Sequence, residues 1–280
     1  MTTRAIPRQA AGTPQQPEPA PGIGGSLSRP LLTMSLLLAA LTTTTSLLGL
    51  LAPWPYAAET ANWRLQAQAQ DLGNLLAVGV LLIAAIAARR GSVRGFLAWA
   101  GSLLYLAYAF TIYAMTVHFG PLFLPYVAGL GLSAYCLVFG LPGRTVGLQP
   151  RHLRLGSWTI GVTATLFALL WLAGITAALG RGEVPPELTD AGLVANPVHV
   201  LDLALVLPAM LITAVLARRD DPAGTLLLAP WLTFSALMGA SILAALLLTA
   251  APVAVLAALG AVTVVNAAVA ALTLRGARHR

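Results

Sequence analysis

The chain has no lysine, a single cysteine and little charge of either sign: 9% of its 280 residues are charged, while 58% are hydrophobic. A soluble domain carries about 25% charged residues, so most of this chain need not face water. The lone Cys136 excludes an internal disulfide framework and reads as a small buried hydrophobe. The missing lysine reads as the coding bias of a GC-rich genome. Recognisable catalytic, metal and nucleotide signatures are missing too; no histidine pair has the HExxH spacing of a zinc protease. No connecting loop is long enough to fold as a soluble domain of its own.

What is present is apolar length. The mean hydropathy is +0.82, and a helix needs about 20 apolar residues to cross roughly 30 Å of hydrocarbon. Eight such runs are predicted, near 31–51, 72–89, 95–117, 121–140, 156–180, 199–217, 225–249 and 252–274. They are too long, and too apolar on every side, for barrel strands of about 10 alternating residues. The fold class read here is all-α, a polytopic transmembrane bundle of eight spans. It occupies 31–275, after a disordered tail at 1–30 that is rich in proline, glutamine and glycine and before a short basic tail at 276–280. The first run is too long for a signal-peptide core of about 7–15 residues.

Net charge is +7, but the arginines form no single patch, so no nucleic-acid partner is expected. Of the 16 basic residues, all but Arg64 and Arg181 fall in the two tails or in alternate gaps between spans. Those gaps hold Arg89, Arg90 and Arg94; Arg144, Arg151 and Arg154; and Arg218 and Arg219. Basic residues stay on the cytoplasmic side, which predicts both termini inside. The expected location is a bacterial cytoplasmic (inner) membrane, with the lipid bilayer as the one certain partner.

Two stretches resemble each other. Asp71 and Leu72 open an apolar run that closes on Ala88, Arg89 and Arg90, followed by Trp99. Asp202 and Leu203 open a second that closes on Ala217, Arg218 and Arg219, followed by Trp231. Each opens the second span of a four-span half, which predicts a parallel four-plus-four repeat related by an axis along the membrane normal.

Polar groups inside a membrane are expensive, so they are the natural functional candidates. Asp71 lies roughly 27 Å before Arg89 along a helix, and Asp202 roughly 24 Å before Arg218. Both therefore approach the boundary opposite the arginines. His118 lies at or beyond that boundary, on one face of its helix with Tyr108, Thr111 and Met115. His199 shares a face with Asp202, and Asn74 with Asp71. Together Asp71, Asn74, His118, His199 and Asp202 predict an outward-facing polar vestibule that binds or passes a small molecule or ion. No cofactor is expected. The alternative is a membrane enzyme with an outer-face site, where Asp71, His118, His199 and Asp202 ligate a divalent metal or run acid–base chemistry. A third reading is a membrane sensor or assembly subunit.

A plainer account of the same residues is capping. Asn196 before Pro197 is a standard helix start, and Asp71 and Asp202 near helix N-termini would complement the dipole. Asn266 is the deepest clear polar residue, roughly 14 Å before Arg275 and so near the midplane; it reads as an interhelical hydrogen bond or a ligand contact. Thr42, Thr43, Thr44, Thr45 and Ser46 can bond back to their own helix. Pro208 and Pro230 are candidate kinks. Trp54, Tyr56 and Trp63 fit an aromatic belt, and residues 60–70 fit either a helix running into span two or a surface piece.

Three strings carry a family likeness: Tyr56-Ala57-Ala58-Glu59-Thr60; Pro121-Leu122-Phe123-Leu124 with Tyr126-Val127; and Asn196-Pro197-Val198-His199-Val200-Leu201-Asp202-Leu203. They resemble a family of uncharacterised bacterial multi-pass membrane proteins, over spans two to seven. The resemblance implies an eight-helix membrane fold and no activity, cofactor or site residue.

Overall fold

The computed structural model describes residues 26–279. Most of the predicted N-terminal tail, and Arg280, lie outside the described residues. The apolar runs are helices: α1 (Arg29–Leu51), α2 (Ala61–Arg89), α3 (Val93–Thr116), α4 (Phe123–Gly140) and α5 (Pro150–Arg181). Two short helices follow, α6 (Pro186–Ala191) and α7 (Pro197–Leu201). A wider π turn over Asp202–Val206 joins α7 to α8 (Leu207–Arg218), and α9 (Pro222–Leu248) and α10 (Val253–Gly276) complete the chain. Counting the α7–α8 helix as one, eight helices among the described residues are long and apolar enough to cross a membrane. This is the architecture of a multi-pass membrane protein.

Span two is longer than its apolar run. It begins at Ala61, not near 72, because Thr60 caps it by accepting the Trp63 N–H at 3.2 Å. Its first three turns carry Trp63, which is buried, Gln70, which is half-buried, and Gln66, which is exposed. The aromatic-belt expectation fails for two of its three members: Tyr56 and Trp63 are buried, and only Trp54 is exposed.

Helices α2, α3 and α9 form the centre. Helices α1 and α4 complete one group around α2 and α3; α5, α8 and α10 pack around α9. In α3, 78% of the apolar window is buried, against 11% in α5 and 17% in α10. The last two therefore present most of their surface outward. Some buried polar side chains find partners inside, as at Trp99, whose indole N–H donates to Ser35 Oγ at 2.9 Å. At the arginine-rich end the Leu27 N–H donates to Ala88 O at 3.1 Å. There a two-residue strand (Val146–Gly147) also pairs antiparallel with Arg278–His279.

The α2–α3 and α8–α9 turns are built alike. Ser92 and Asp221 each cap the following helix, accepting from Gly95 N and from Ala223 N and Gly224 N. Each also donates its own N–H five residues back, to Ala87 O at 3.0 Å and Leu216 O at 3.1 Å. Gly91 and Asp220 hold the same left-handed position, at φ 84° and 53°. Gly95 and Gly224 then let the helices touch: a Cβ on Gly224 would strike the backbone of Leu216 and Ala217. Backbone cannot rotate away, so Gly224→Ala is expected to destabilise at the upper end of the about 1–3 kcal/mol of overpacking. The gain in helix propensity returns at most about 1 kcal/mol. Gly260→Ala, where nothing lies within 4 Å, should leave the unfolding midpoint unchanged or slightly raised. Thermal unfolding of the two variants side by side checks this.

Candidate functional site

The two intramembrane carboxylates are held in the same way at different places. Asp71 is fully buried on α2, well past the first turn, so the dipole reading does not apply to it. The Tyr56 hydroxyl donates to its Oδ2 at 2.7 Å and the Tyr113 hydroxyl to its Oδ1 at 2.9 Å. Tyr56 comes from the 52–60 loop, which folds inward. Burial, and secondarily the Asp71 carboxylate, push its phenol far above the ordinary tyrosine range, so it stays a donor. Asp202 sits where α7 passes into the π turn and is also buried. The Tyr108 hydroxyl donates to its Oδ1 at 3.0 Å, and the Trp171 indole N–H to its Oδ2 at 2.8 Å.

The π turn has a cause. The Leu207 N–H donates to Asp202 O, five residues back, and Pro208 next to it has no N–H to give. The helix widens there instead of bending sharply at the proline. Asn196 caps α7 as its sequence predicts, accepting from Val198 N at 3.0 Å and His199 N at 3.3 Å.

Asp202 opens onto a cavity of about 300 Å³ bounded by α2, α3, α5, α8, α9, α10 and the 181–198 segment. That is the lower end of the range for small-molecule pockets. Its wall is mostly apolar and aromatic, with Trp63, Tyr108, Phe167, Trp171 and Phe234. Two carboxylates, Asp202 and Glu187, line it, and none of the described lining residues is Arg, Lys or His. Asn266 closes the deep end. Its Nδ2 donates to Thr163 Oγ1 at 3.1 Å and to Val262 O at 2.9 Å. Its buried Oδ1 has no partner, and neither does the Trp63 indole N–H. An unpaired polar atom in such surroundings costs about 1–3 kcal/mol.

Of the predicted vestibule residues, Asp202 lines this cavity, and so does Asn266, the separate midplane candidate. Asp71 and Asn74 do not line it, and Asn74 is joined to its wall through Gln70. The Gln70 amide donates to Asn74 Oδ1 at 3.2 Å and to the Tyr105 hydroxyl at 2.7 Å, and its Oε1 accepts from Ser241 at 3.2 Å. Asn74 in turn donates to Ser46 Oγ at 3.4 Å. His199 stacks on Trp171 with ring centres 4.6 Å apart, so it touches the site through the indole. His118 belongs elsewhere: its backbone N–H and Nδ1 both meet Glu59 Oε1, at 2.8 and 3.0 Å, on the rim of a separate open groove. Among the described residues, no three His, Cys, Asp or Glu side chains converge where they could hold a metal ion. In the threonine run, Thr43 and Thr45 bond back to their own helix, at Ala39 O and Leu41 O, whereas the buried Thr42 Oγ1 has no partner and Ser46 accepts from Asn74.

Sequence reasoning missed Gln66, Gln70, Trp171 and Ser241. Trp171 carried a signal, being an indole donor midway along an apolar run. The glutamines carried one too, as polar residues spaced four apart and leading into Asp71.

The arrangement can hold an amphiphile. Its apolar body would lie against the rings, and a neutral or positive head would meet Asp202, Glu187 and Asn266. An anionic head would meet two carboxylates and no counter-charge. Comparison with known proteins matches nothing: no family model, no curated protein and no solved structure corresponds to this chain. The family likeness of the three strings therefore adds no established relative, and the chain is placed by its own architecture as a multi-pass helical membrane protein.

Proposed function

We propose that this is a non-enzymatic membrane protein that binds or passes a small amphiphilic molecule, neutral or cationic, in the cavity beside Asp202. The observation that carries the reading is the lining: aromatic walls, two carboxylates and no basic side chain among the described lining residues. Aromatic faces around a carboxylate favour a cation twice, by direct charge and by cation–π attraction of about 0.5–2 kcal/mol. The arginine-rich end faces the cytoplasm of a bacterial cell by the positive-inside rule, so the Glu187 end of the cavity faces outward. The likeness of the α2–α3 and α8–α9 turns, and the matching clasps on Asp71 and Asp202, support a parallel four-plus-four repeat. In that repeat the first half is filled by Tyr56 and the second half is left hollow.

Two medium-chain probes that differ only in head group test the reading, a primary amine and a carboxylic acid, each carrying a diazirine. In lipid nanodiscs the amine should saturably photolabel cavity residues such as Phe167 and Met238. The acid should label only residues on the outer faces of α5 and α10. Equal labelling of the cavity by both, or by neither, sinks the reading.

A further inference from the structure

The cavity has a second boundary that the carboxylates do not explain. Its deep end lies against the seam between α5 and α10, the two spans least buried in the bundle. On the outer side of the same seam runs an open apolar groove between Trp158, Val162 and Leu166 of α5 and Ala261 and Val265 of α10. Thr163, Val262 and Asn266 line both spaces. The groove and the cavity are thus separated by a partition one side chain thick. What closes it is the Asn266 Nδ2 to Thr163 Oγ1 hydrogen bond, 3.1 Å, across the seam.

Depth fixes what the groove faces. Asn266 lies roughly 14 Å before Arg275 along α10, half-way through a core about 30 Å thick. Around the groove, Trp158, Val162, Leu166 and Val265 are each about half exposed, and no charged residue lines it. At that depth the neighbour is acyl chain. Asn266 is only 2% exposed, yet its Oδ1 has no partner, as it would if the residue were placed to exchange partners. An interhelical bond of this kind in a membrane is worth about 0.6 kcal/mol on average, and at most about 1.7. A bond of that strength opens on thermal fluctuation.

We propose that the Thr163–Asn266 pair is the latch of a lateral portal, through which a membrane-dissolved amphiphile passes from the bilayer midplane between α5 and α10 into the Asp202 cavity. This rests on the cavity being a binding site. It adds that the ligand is lipid-soluble and arrives from within the membrane. The lateral groove is apolar and the inner wall carries carboxylates, so the occupant is a neutral or amine-headed chain. An anionic lipid is disfavoured at the inner wall.

The test locks the seam. Val162→Cys and Val265→Cys, which face each other in the outer groove and do not line the cavity, are introduced together on a Cys136→Ala background and bridged by a short bis-thiosulfonate reagent in nanodiscs. The photoreactive medium-chain amine is added either before or after bridging. The unbridged double variant should label Phe167 and Met238 as the parent does, which shows that it is folded. Bridging before the probe should cut that labelling at least tenfold. Bridging after the probe should preserve it and trap the label against washing. In the unbridged chain, Asn266→Leu alone should speed labelling, since the latch is gone. Undiminished labelling of the locked protein overturns the portal and leaves the cavity reading intact. Absence of cavity labelling in the unlocked protein overturns both.

Discussion

Tyr56→Ala is expected to lower stability by about 3–5 kcal/mol, the range for truncating a buried aromatic side chain. Tyr56 is 2% exposed and ties the 52–60 loop to the bundle. Its hydroxyl donates to Asp71, and its carbonyl accepts from Glu59 N and Arg64 Nε at 3.2 and 3.3 Å. Alanine keeps the carbonyl contacts, empties the ring's space and leaves Asp71 with Tyr113 as its remaining phenol donor. Tyr56→Phe keeps the ring and should lose only the hydrogen bond to a carboxylate, about 1.5–3 kcal/mol. The unfolding midpoint of the alanine variant should fall by roughly 10 °C, and that of phenylalanine by about half as much. If the two variants fall equally, the ring is not packed as described.

The same residue sets an alkaline limit. Burial raises its folded pKa above the unfolded value of about 10. The folded chain therefore keeps a proton that the unfolded chain loses, and stability is full below about pH 10 and falls as pH rises past it. Stability curves in that range should slope less steeply for Tyr56→Phe than for the parent.

Eight helices are legible in the chain because a membrane span is a property of length and hydropathy, both local. The extra turns of α2 are not, because Gln66 and Gln70 look like solvent residues until something polar is known to lie opposite them. Here that is Tyr105, Ser241 and the cavity. The carboxylates are legible as costly residues that need partners. The partners are not: Tyr108 lies 94 residues from Asp202, and Trp171 lies 31. Periodicity groups residues on one helix face and is silent on which helix that face meets. This is why Asp71, His118, His199 and Asp202 read as one pocket and stand in three places. Asn266 was legible in its interhelical hydrogen bond, while its unpartnered oxygen needed the packing of α5 against α10.

Asp202→Asn and Asp71→Asn are the same chemical change in matching clasps, and they should have opposite consequences. Asp202 lines the cavity; Asp71 does not. A cationic head about 4 Å from a carboxylate gains about 4 kcal/mol at an effective dielectric of 20. Desolvation of the amine and of the carboxylate offsets a large part of that gain. A residue of about 1.5–3 kcal/mol survives, which is tenfold to somewhat over hundredfold in affinity. Asp202→Asn should weaken binding of the amine probe by that factor and leave a neutral analogue of the same chain within about threefold. Its amide also presents donors to Tyr108 and Trp171, so a modest loss of stability of about 1–2 kcal/mol accompanies it. Asp202→Glu should restore most of the preference for the amine, because the charge stays in the cavity. Asp71→Asn should do the reverse, with affinity for the amine unchanged and the unfolding midpoint lowered, since Tyr56 and Tyr113 each donate to one carboxyl oxygen and an amide offers only one acceptor oxygen. Equal weakening of amine and neutral chain by Asp202→Asn would mean that the residue shapes the wall without meeting the head group. The site would then hold apolar molecules without regard to charge.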